Sequence, residues 1–404
     1  MDLFTLAVLL GLITGGIALD SYIHPRTLIV QIIPSGDNSL NKDFVANVVN
    51  YEINRMTAVR SLVARPYIDP SGDKGFVGAL GEATGTSAFL NVIGMVFQDT
   101  PNALNVAVYN EGGKLKVFVS GLAADLTRGN GLFNMTVTQT DGETQVDTIE
   151  RATVLGAAHI DPYLATMYLL TTMERTGEDR YGTTAIGIVE LVRSQIPADA
   201  ESPLLARLQN LEGLVQMRRG KLDLASAAFA SGLTRIPPGY GGPTPVLLEL
   251  NKAFVDVARN DTDGAAALLA EVTASTDNFE KLVGAGYLSS EGAAYNLTQD
   301  EVDDLRAVHE TVSAYVALRR NNIDEAEAIA KNELSADPHR LNAISLLADI
   351  EGMRGNQVAE RALRKSAVKQ SLGVNPFLEI ALFHAKLSFT AGGVELKPGE
   401  YILW

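Results

Sequence analysis

The chain has 404 residues, of which 46% are hydrophobic and 20% are charged, so its composition is that of a folded protein rather than a disordered one. Its net charge of -15 and its pI near 4.8 oppose the basic surface that phosphate backbones require, which excludes nucleic acid as an expected partner. The absence of cysteine excludes disulfides, thiolate metal sites and thiol catalysis.

The first element is an uncharged apolar stretch at residues 3–19 (LFTLAVLLGLITGGIAL), bounded by Asp2 and Asp20. Its length is at the short end of what crosses a hydrocarbon core, and it predicts one transmembrane helix that anchors the chain. The alternatives are a buried core helix and a cleaved signal peptide, although no basic residue precedes the stretch. Gly11 and Gly15 have the G-x-x-x-G spacing that lets two anchors pack closely, but glycine is also common in membrane helices generally.

Residues 20–150 are predicted to form a small α/β domain, because short β-branched segments occur together with segments of helical spacing. A hairpin turn at residues 110–113 (NEGG) joins two of the predicted strands. The predicted strands are residues 26–34, 105–109, 114–120 and 132–138, and the predicted helices are residues 41–63 and 87–97.

From about residue 144 the apolar residues recur at helical spacing only, so residues 151–390 are predicted to form a helical domain. An alanine precedes a proline by twelve residues three times in this domain, at Pro197, Pro237 and Pro338. Residues 391–404 form a C-terminal tail, which is expected either to cap the last repeat or to dock elsewhere as a strand.

Residues 205–237 (LARLQNLEGLVQMRRGKLDLASAAFASGLTRIP) carry the clearest internal repeat. Its repeat positions are Gly213, Gly220, Ala225, Phe229 and Pro237. The pattern resembles a tetratricopeptide repeat (TPR), which has a small residue in the first helix, glycine in the turn, then alanine, a large apolar residue and a closing proline. The tryptophan and tyrosine of that family are replaced here by Gln209 and Gln216.

A second copy of the repeat spans residues 302–338, and weaker units lie near residues 185–197, 253–269 and 348–362. In the second copy Asn321 and Asn322 occupy the turn where glycine is usual. The resemblance covers about residues 160–390 and implies a TPR-like α-solenoid, so the chain as a whole is expected to be mainly α. The repeat positions of the second copy are Ala314, Ala326, Ala330 and Pro338.

Gly213 and Ala225 are expected to be small because the two helices of the repeat cross there. Phe229 is expected to fill the space toward the next repeat. Residues 238–246 and 275–300 are predicted to be irregular insertions between units, and insertions of this kind often form a variable contact surface.

The order of anchor, small α/β domain and helical repeats, together with residues 161–165 (DPYLA), resembles a bacterial family of membrane-anchored TPR proteins. This resemblance implies a single-pass protein of the bacterial inner membrane with most of the chain in the periplasm. The charges beside residues 3–19 are too few to determine the orientation independently.

No motif in the sequence has a spacing that supports catalysis or cofactor binding. The five histidines are too far apart to hold a metal on one helical face, and the glycine-rich residues 71–87 lack the phosphate-binding spacings. The acidic pairs at residues 303–304 and 324–325 are explained by the preference of carboxylates for helix starts. The sequence therefore assigns no catalytic, cofactor-binding or metal-ligating residue, and an enzyme is the least favoured interpretation.

The favoured function is a membrane-anchored scaffold or adaptor that binds another protein, as an accessory or assembly subunit of a membrane complex. The alternative is that the domain at residues 20–150 binds a ligand or signal and that the helices form a homo-oligomer.

Overall fold

The computed structural model describes residues 26–33, 40–59, 61, 68–69, 102–125, 129–240, 242–279, 287–288, 294–295 and 298–371. Within these ranges the chain is mainly helical, as predicted, with twelve helices and a small sheet. None of these helices combines the length and the apolar content that crossing a bilayer requires. The predicted anchor at residues 3–19 with Gly11 and Gly15, the predicted helix at 87–97 and the tail at 391–404 lie outside the described residues.

The first compact unit is built on a five-stranded sheet of order β2-β1-β3-β4-β5. Strand β1 is parallel to β2 and β3, and the pairs β3–β4 and β4–β5 are antiparallel. The elements of this unit are β1 (Arg26–Ile33), α1 (Lys42–Thr57), β2 (Ile68–Asp69), β3 (Asn102–Glu111), β4 (Lys114–Asp125), β5 (Gly129–Thr138) and α2 (Gln145–Ala158).

The two helices of this unit, α1 and α2, pack on the sheet and on each other. Leu104 of β3 and Val119 of β4 are fully buried beneath α2. The approach is so close that a Cβ at Gly156 of α2 would lie 2.7 Å from the Val119 side chain and 2.8 Å from that of Leu104. Because strand side chains alternate, Phe118 lies on the opposite face, where it is only half-buried.

The four predicted strands are confirmed, and so is the hairpin turn between β3 and β4. Gly112 and Gly113 adopt φ values of 60° and 78° there, in the left-handed region that glycine adopts without steric cost. The predicted helix at residues 41–63 is shorter than expected, since α1 ends at Thr57. The N–H of Ala58, the C-cap residue, donates to the carbonyl of Asn54.

The predicted domain boundary after residue 150 falls inside α2, a helix that packs on the sheet. Most of the chain up to Ala165 belongs to the first compact unit and most of the chain from Thr166 to the second, so this division falls within the helix Pro162–Thr176. Helical periodicity shows that a helix has an apolar face but not which core that face joins, so the pattern alone cannot locate this division.

The second compact unit is a succession of helices with short connections. Between α8 and α9 the chain also forms two paired two-residue strands, β6 (Tyr287–Leu288) and β7 (Ala294–Tyr295). The helices are α3 (Pro162–Thr176), α4 (Asp179–Gln195), α5 (Pro203–Arg218), α6 (Leu222–Leu233), α7 (Thr244–Ala258), α8 (Thr262–Phe279), α9 (Gln299–Arg319), α10 (Ile323–Ala336), α11 (Leu341–Met353) and α12 (Gln357–Ser371).

Each helix from α4 to α11 packs on the next helix along the chain. Three-residue turns join α5 to α6, α7 to α8, α9 to α10 and α11 to α12, so each of these is an antiparallel helix pair. The first helices of successive pairs also contact one another, α5 with α7, α7 with α9 and α9 with α11. These first helices therefore form the interior of the unit, and their side chains are the more deeply buried.

The two predicted insertions are shorter than expected. Helix α7 begins at Thr244, within the segment 238–246, because Pro245 is compatible with the first turn of a helix. Helix α8 continues to Phe279 and α9 begins at Gln299, which reduces the second insertion at both ends.

Candidate protein-binding surface

The turns within the four helix pairs have the same backbone conformation. Each contains one residue in the left-handed region, which an ordinary side chain adopts only at a cost of about 1–2 kcal/mol. These residues are Gly220 (φ 68°), Asn260 (φ 67°), Asn321 (φ 64°) and Gly355 (φ 77°).

The same hydrogen bond closes the first helix in all four turns. The N–H after the left-handed residue donates to the carbonyl five residues earlier, which is the Schellman arrangement and satisfies a carbonyl that the helix end leaves open. The bonds are Lys221 to Gln216 (2.9 Å), Asp261 to Asp256 (2.8 Å), Asn322 to Ala317 (2.8 Å) and Asn356 to Glu351 (2.8 Å).

Replacing Asn321 by alanine is expected to destabilise the α9–α10 pair by about 1 kcal/mol, because alanine tolerates the left-handed conformation less well than asparagine. Replacing it by glycine, as found at the equivalent Gly220, is expected to leave stability unchanged or to raise it. Chemical denaturation of both variants checks the sign, and a glycine variant less stable than the alanine variant would contradict the assigned turn.

An arginine stands immediately before the left-handed residue in each turn and binds an aspartate in the first turn of a preceding helix. This contact joins successive helix pairs, and the first of them joins α5 to α4. The ion pairs are Arg219–Asp179 (2.6 Å), Arg259–Asp223 (3.0 Å), Arg320–Asp263 (2.7 Å) and Arg354–Asp324 (3.7 Å). In the last of them Arg354 also donates a closer hydrogen bond to Glu327. We refer to the four arginines and the four aspartates as the turn edge.

The aspartates of the turn edge are largely exposed, and the side chain of Asp263 retains 94% of its accessible surface. Exposed ion pairs of this kind each contribute only about 0–1 kcal/mol, so the turn edge adds little to stability. Each carboxylate also lies at a helix start, where the helix dipole favours negative charge. The result is a recurring row of accessible carboxylates that can accept hydrogen bonds from cationic groups of a partner.

Two of the repeat positions predicted from the sequence, Gly213 and Phe229, pack against each other inside the α5–α6 pair. The Phe229 ring lies over Gly213, where a Cβ would come within 2.3 Å of the ring. Phe229 thus fills space within its own pair, and Gly232 of the same helix lies close to the next pair, since a Cβ there would be 2.8 Å from the Leu248 side chain. That Phe229 also fills the space toward the next repeat stays a prediction. A fully buried ring needs a glycine opposite it because no larger residue leaves room.

The remaining predicted positions occupy equivalent places in the two repeats. Gly220 is the left-handed residue of its turn, and Pro237 and Pro338 lie just after α6 and α10. The alanines among the predicted positions are buried: Ala225, Ala314, Ala326 and Ala330 are each at most 1% exposed.

Buried polar contacts between the helices were not predicted. Gln209 of α5, which is 2% exposed, donates to the hydroxyl of Ser231 of α6 at 2.7 Å. Asn251 of α7 donates to Asn210 of α5 at 2.7 Å and so links two first helices. The signal in the sequence was the presence of polar residues at otherwise apolar repeat positions.

A third polar contact links the last two described pairs. Tyr315 of α9 donates to Asp349 of α11 at 3.0 Å, and Arg364 of α12 donates to the same carboxylate at 2.9 Å. Because burial and Asp349 both favour the neutral phenol, the pKa of Tyr315 is well above its usual value. These contacts satisfy buried polar groups and hold neighbouring helices in register.

The described histidines occupy separate places in the fold. His159 stacks on Phe133 with ring centroids 4.7 Å apart, and burial lowers its pKa. His309 contacts the carbonyl of Leu269, and His339 is exposed after α10. Among the described residues, no three histidine, aspartate or glutamate side chains are grouped so as to hold a metal ion.

No model of a known protein family matches this chain, and a search of curated proteins gives no match. The functional interpretation therefore depends on the repeated geometry of the helix pairs and on the turn edge.

Proposed function

We propose that this chain is a membrane-anchored scaffold or adaptor that binds another protein through a TPR-like α-solenoid. The observation that carries the proposal is the equivalence of the four turns, each with a left-handed residue, the same closing hydrogen bond and an arginine bound to a preceding aspartate. Stacked helix pairs of this kind form extended surfaces that hold other proteins.

The turn edge is the proposed contact surface, because its carboxylates are accessible and recur in the first turns of α4, α6, α8 and α10. A partner with exposed lysine or arginine side chains complements them, and such complementarity increases the association rate and the specificity of binding. The proposed location, in the bacterial inner membrane with most of the chain in the periplasm, follows from the family resemblance and from residues 3–19.

The experiment is extraction of the native membrane in mild detergent, capture through a tag at Trp404 and mass spectrometry of the captured proteins. The matched variant carries Asp223→Asn, Asp263→Asn and Asp324→Asn together, which removes three exposed charges at a small cost in stability. We expect a stoichiometric protein to be captured by the unmodified chain and to be reduced at least several-fold with the variant, whose melting temperature should stay nearly unchanged.

Each outcome of the capture experiment assigns the function differently. A partner that is retained equally by the variant would support the scaffold but place binding on another surface. Recovery of the chain alone would contradict the scaffold and favour the second candidate function.

The second candidate function is ligand or signal binding by the sheet domain, with the helices forming a homo-oligomer. The observation that favours it is the sheet face opposite α2, where Phe118 and Leu122 are half-buried and Leu132 is 86% exposed. An apolar surface of this kind is often a binding site.

A further inference from the structure

Glu249 of α7 and the exposed Glu271 of α8 occupy places that have equivalents in the preceding helix pair. Gln209 and Ser231, each forty residues earlier, occupy the same places in α5 and α6 and form a hydrogen bond of 2.7 Å. The second pair therefore replaces a neutral amide–hydroxyl contact by two carboxyl groups.

The surroundings of Glu249 do not favour its ionised form. Its side chain is half-buried, and its Oε2 atom is inaccessible and has no hydrogen-bond partner within the described residues. The helices that flank α7 in sequence, α6 and α8, contain no lysine, arginine or histidine. Their charged residues with described side chains are Asp223, Asp263 and Glu271.

Carboxylate or carbonyl partners hold the cations on α7 and α5, and also Arg306 and His309 on α9. The remaining cation of α9, Arg319, lies in the last turn of that helix. On α7 itself Lys252 binds Asp256 at 2.7 Å. The pairings on α5 and α9 are Arg207 with the carbonyl of Pro203, Arg218 with Glu174, Arg306 with Asp303, and His309 with Glu310 and the carbonyl of Leu269.

We propose that Glu249, together with Glu271, forms a proton-binding joint, which stabilises the α7–α8 pair when Glu249 is protonated and weakens it when Glu249 is ionised. A protonated carboxyl group can donate a hydrogen bond as Gln209 does, whereas two ionised carboxylates repel each other. This joint is separate from the proposed protein binding, because it acts within the α7–α8 pair whatever partner the unit holds.

The pH range follows from the pKa. Burial, and then the charge of Glu271, raise the pKa of Glu249 from 4.5 to about 7. The folded chain thus keeps a proton that the unfolded chain releases between these values, so stability falls as pH rises across this interval. The stabilising contribution is complete below about pH 4.5 and is lost as the pH passes 7.

The test compares thermal unfolding of the full-length chain with that of its Glu249→Gln variant from pH 5 to pH 8. Glutamine cannot ionise, so the variant should melt at nearly the same temperature as the unmodified chain at pH 5 and roughly 2–4 °C higher at pH 8. The double variant Glu249→Gln, Glu271→Ser recreates the pairing of Gln209 with Ser231 and should behave in the same way. A difference in melting temperature that is constant over this range would overturn the proposal.

The matched control is Glu201→Gln, the same substitution at an exposed position before α5, which should have no pH-dependent effect.

A second measurement needs no variant and remains informative if the variants fail to fold. Hydrogen exchange of the α7–α8 amides, corrected for intrinsic rates, should show protection that falls between pH 5 and pH 8, while protection of α9–α10 changes less. Equal changes in the two pairs would also reject the joint.

Discussion

Replacing Arg218 by methionine is expected to destabilise the helical unit by about 3–5 kcal/mol. Arg218 of α5 forms an ion pair with Glu174 of α3, and their side chains keep only 20% and 11% of their accessible surface. Burial raises the pKa of Glu174, and Arg218 opposes that shift. Methionine would remove the cation that offsets this burial, which is the costly way to disrupt a buried ion pair.

Chemical denaturation of the variant measures this effect, and two further variants identify its cause. The double variant Glu174→Leu, Arg218→Met removes both charges and is expected to recover most of the lost stability. Arg320→Met, which removes an exposed arginine of the turn edge, should cost at most about 1 kcal/mol. Equal losses for Arg218→Met and Arg320→Met would show that burial is not the cause.

Replacing Gly213 by alanine is expected to destabilise the α5–α6 pair by about 1–3 kcal/mol, although alanine is the better helix former. The added methyl group would lie 2.3 Å from the Phe229 ring, which is fully buried and has no space to move into. The helices must therefore separate or the ring must leave its preferred rotamer.

The matched control is Gly187→Ala in α4, where the added Cβ meets no atom within 4 Å. This variant gains the helical preference of alanine without a clash and is expected to be more stable by up to about 1 kcal/mol. Thermal unfolding of the two variants should thus give shifts of opposite sign. Stabilisation by Gly213→Ala would mean that the ring does not lie over Gly213.

The local elements could be predicted because their signals lie within a few residues of one another. Glycine at residues 112 and 113 indicated the hairpin turn, and the change to helical spacing near Thr144 marked the start of α2, for which Thr144 forms a capping box with Asp147. The spacing of small residues indicated positions inside the repeats, and Ala225 and Ala326 are both fully buried.

The contacts of the candidate surface could not be predicted in the same way. Arg219 binds Asp179 forty residues earlier, and Arg320 binds Asp263 across a longer insertion. Aligning the turns would have shown a recurrent arginine before glycine or asparagine, but not the carboxylate that it binds.

By itself, the sequence determined the helices and strands, the chemistry of the turns and the small residues at the helix crossings, because each depends on backbone sterics and side-chain spacing within one or two turns. Only the tertiary structure decided which core α2 joins, which ring lies over Gly213 and that one carboxyl oxygen of Glu249 is buried without a hydrogen-bond partner among the described residues. These contacts depend on how surfaces distant in sequence pack together, and packing at the density of a protein interior is sensitive to the shape of every neighbour.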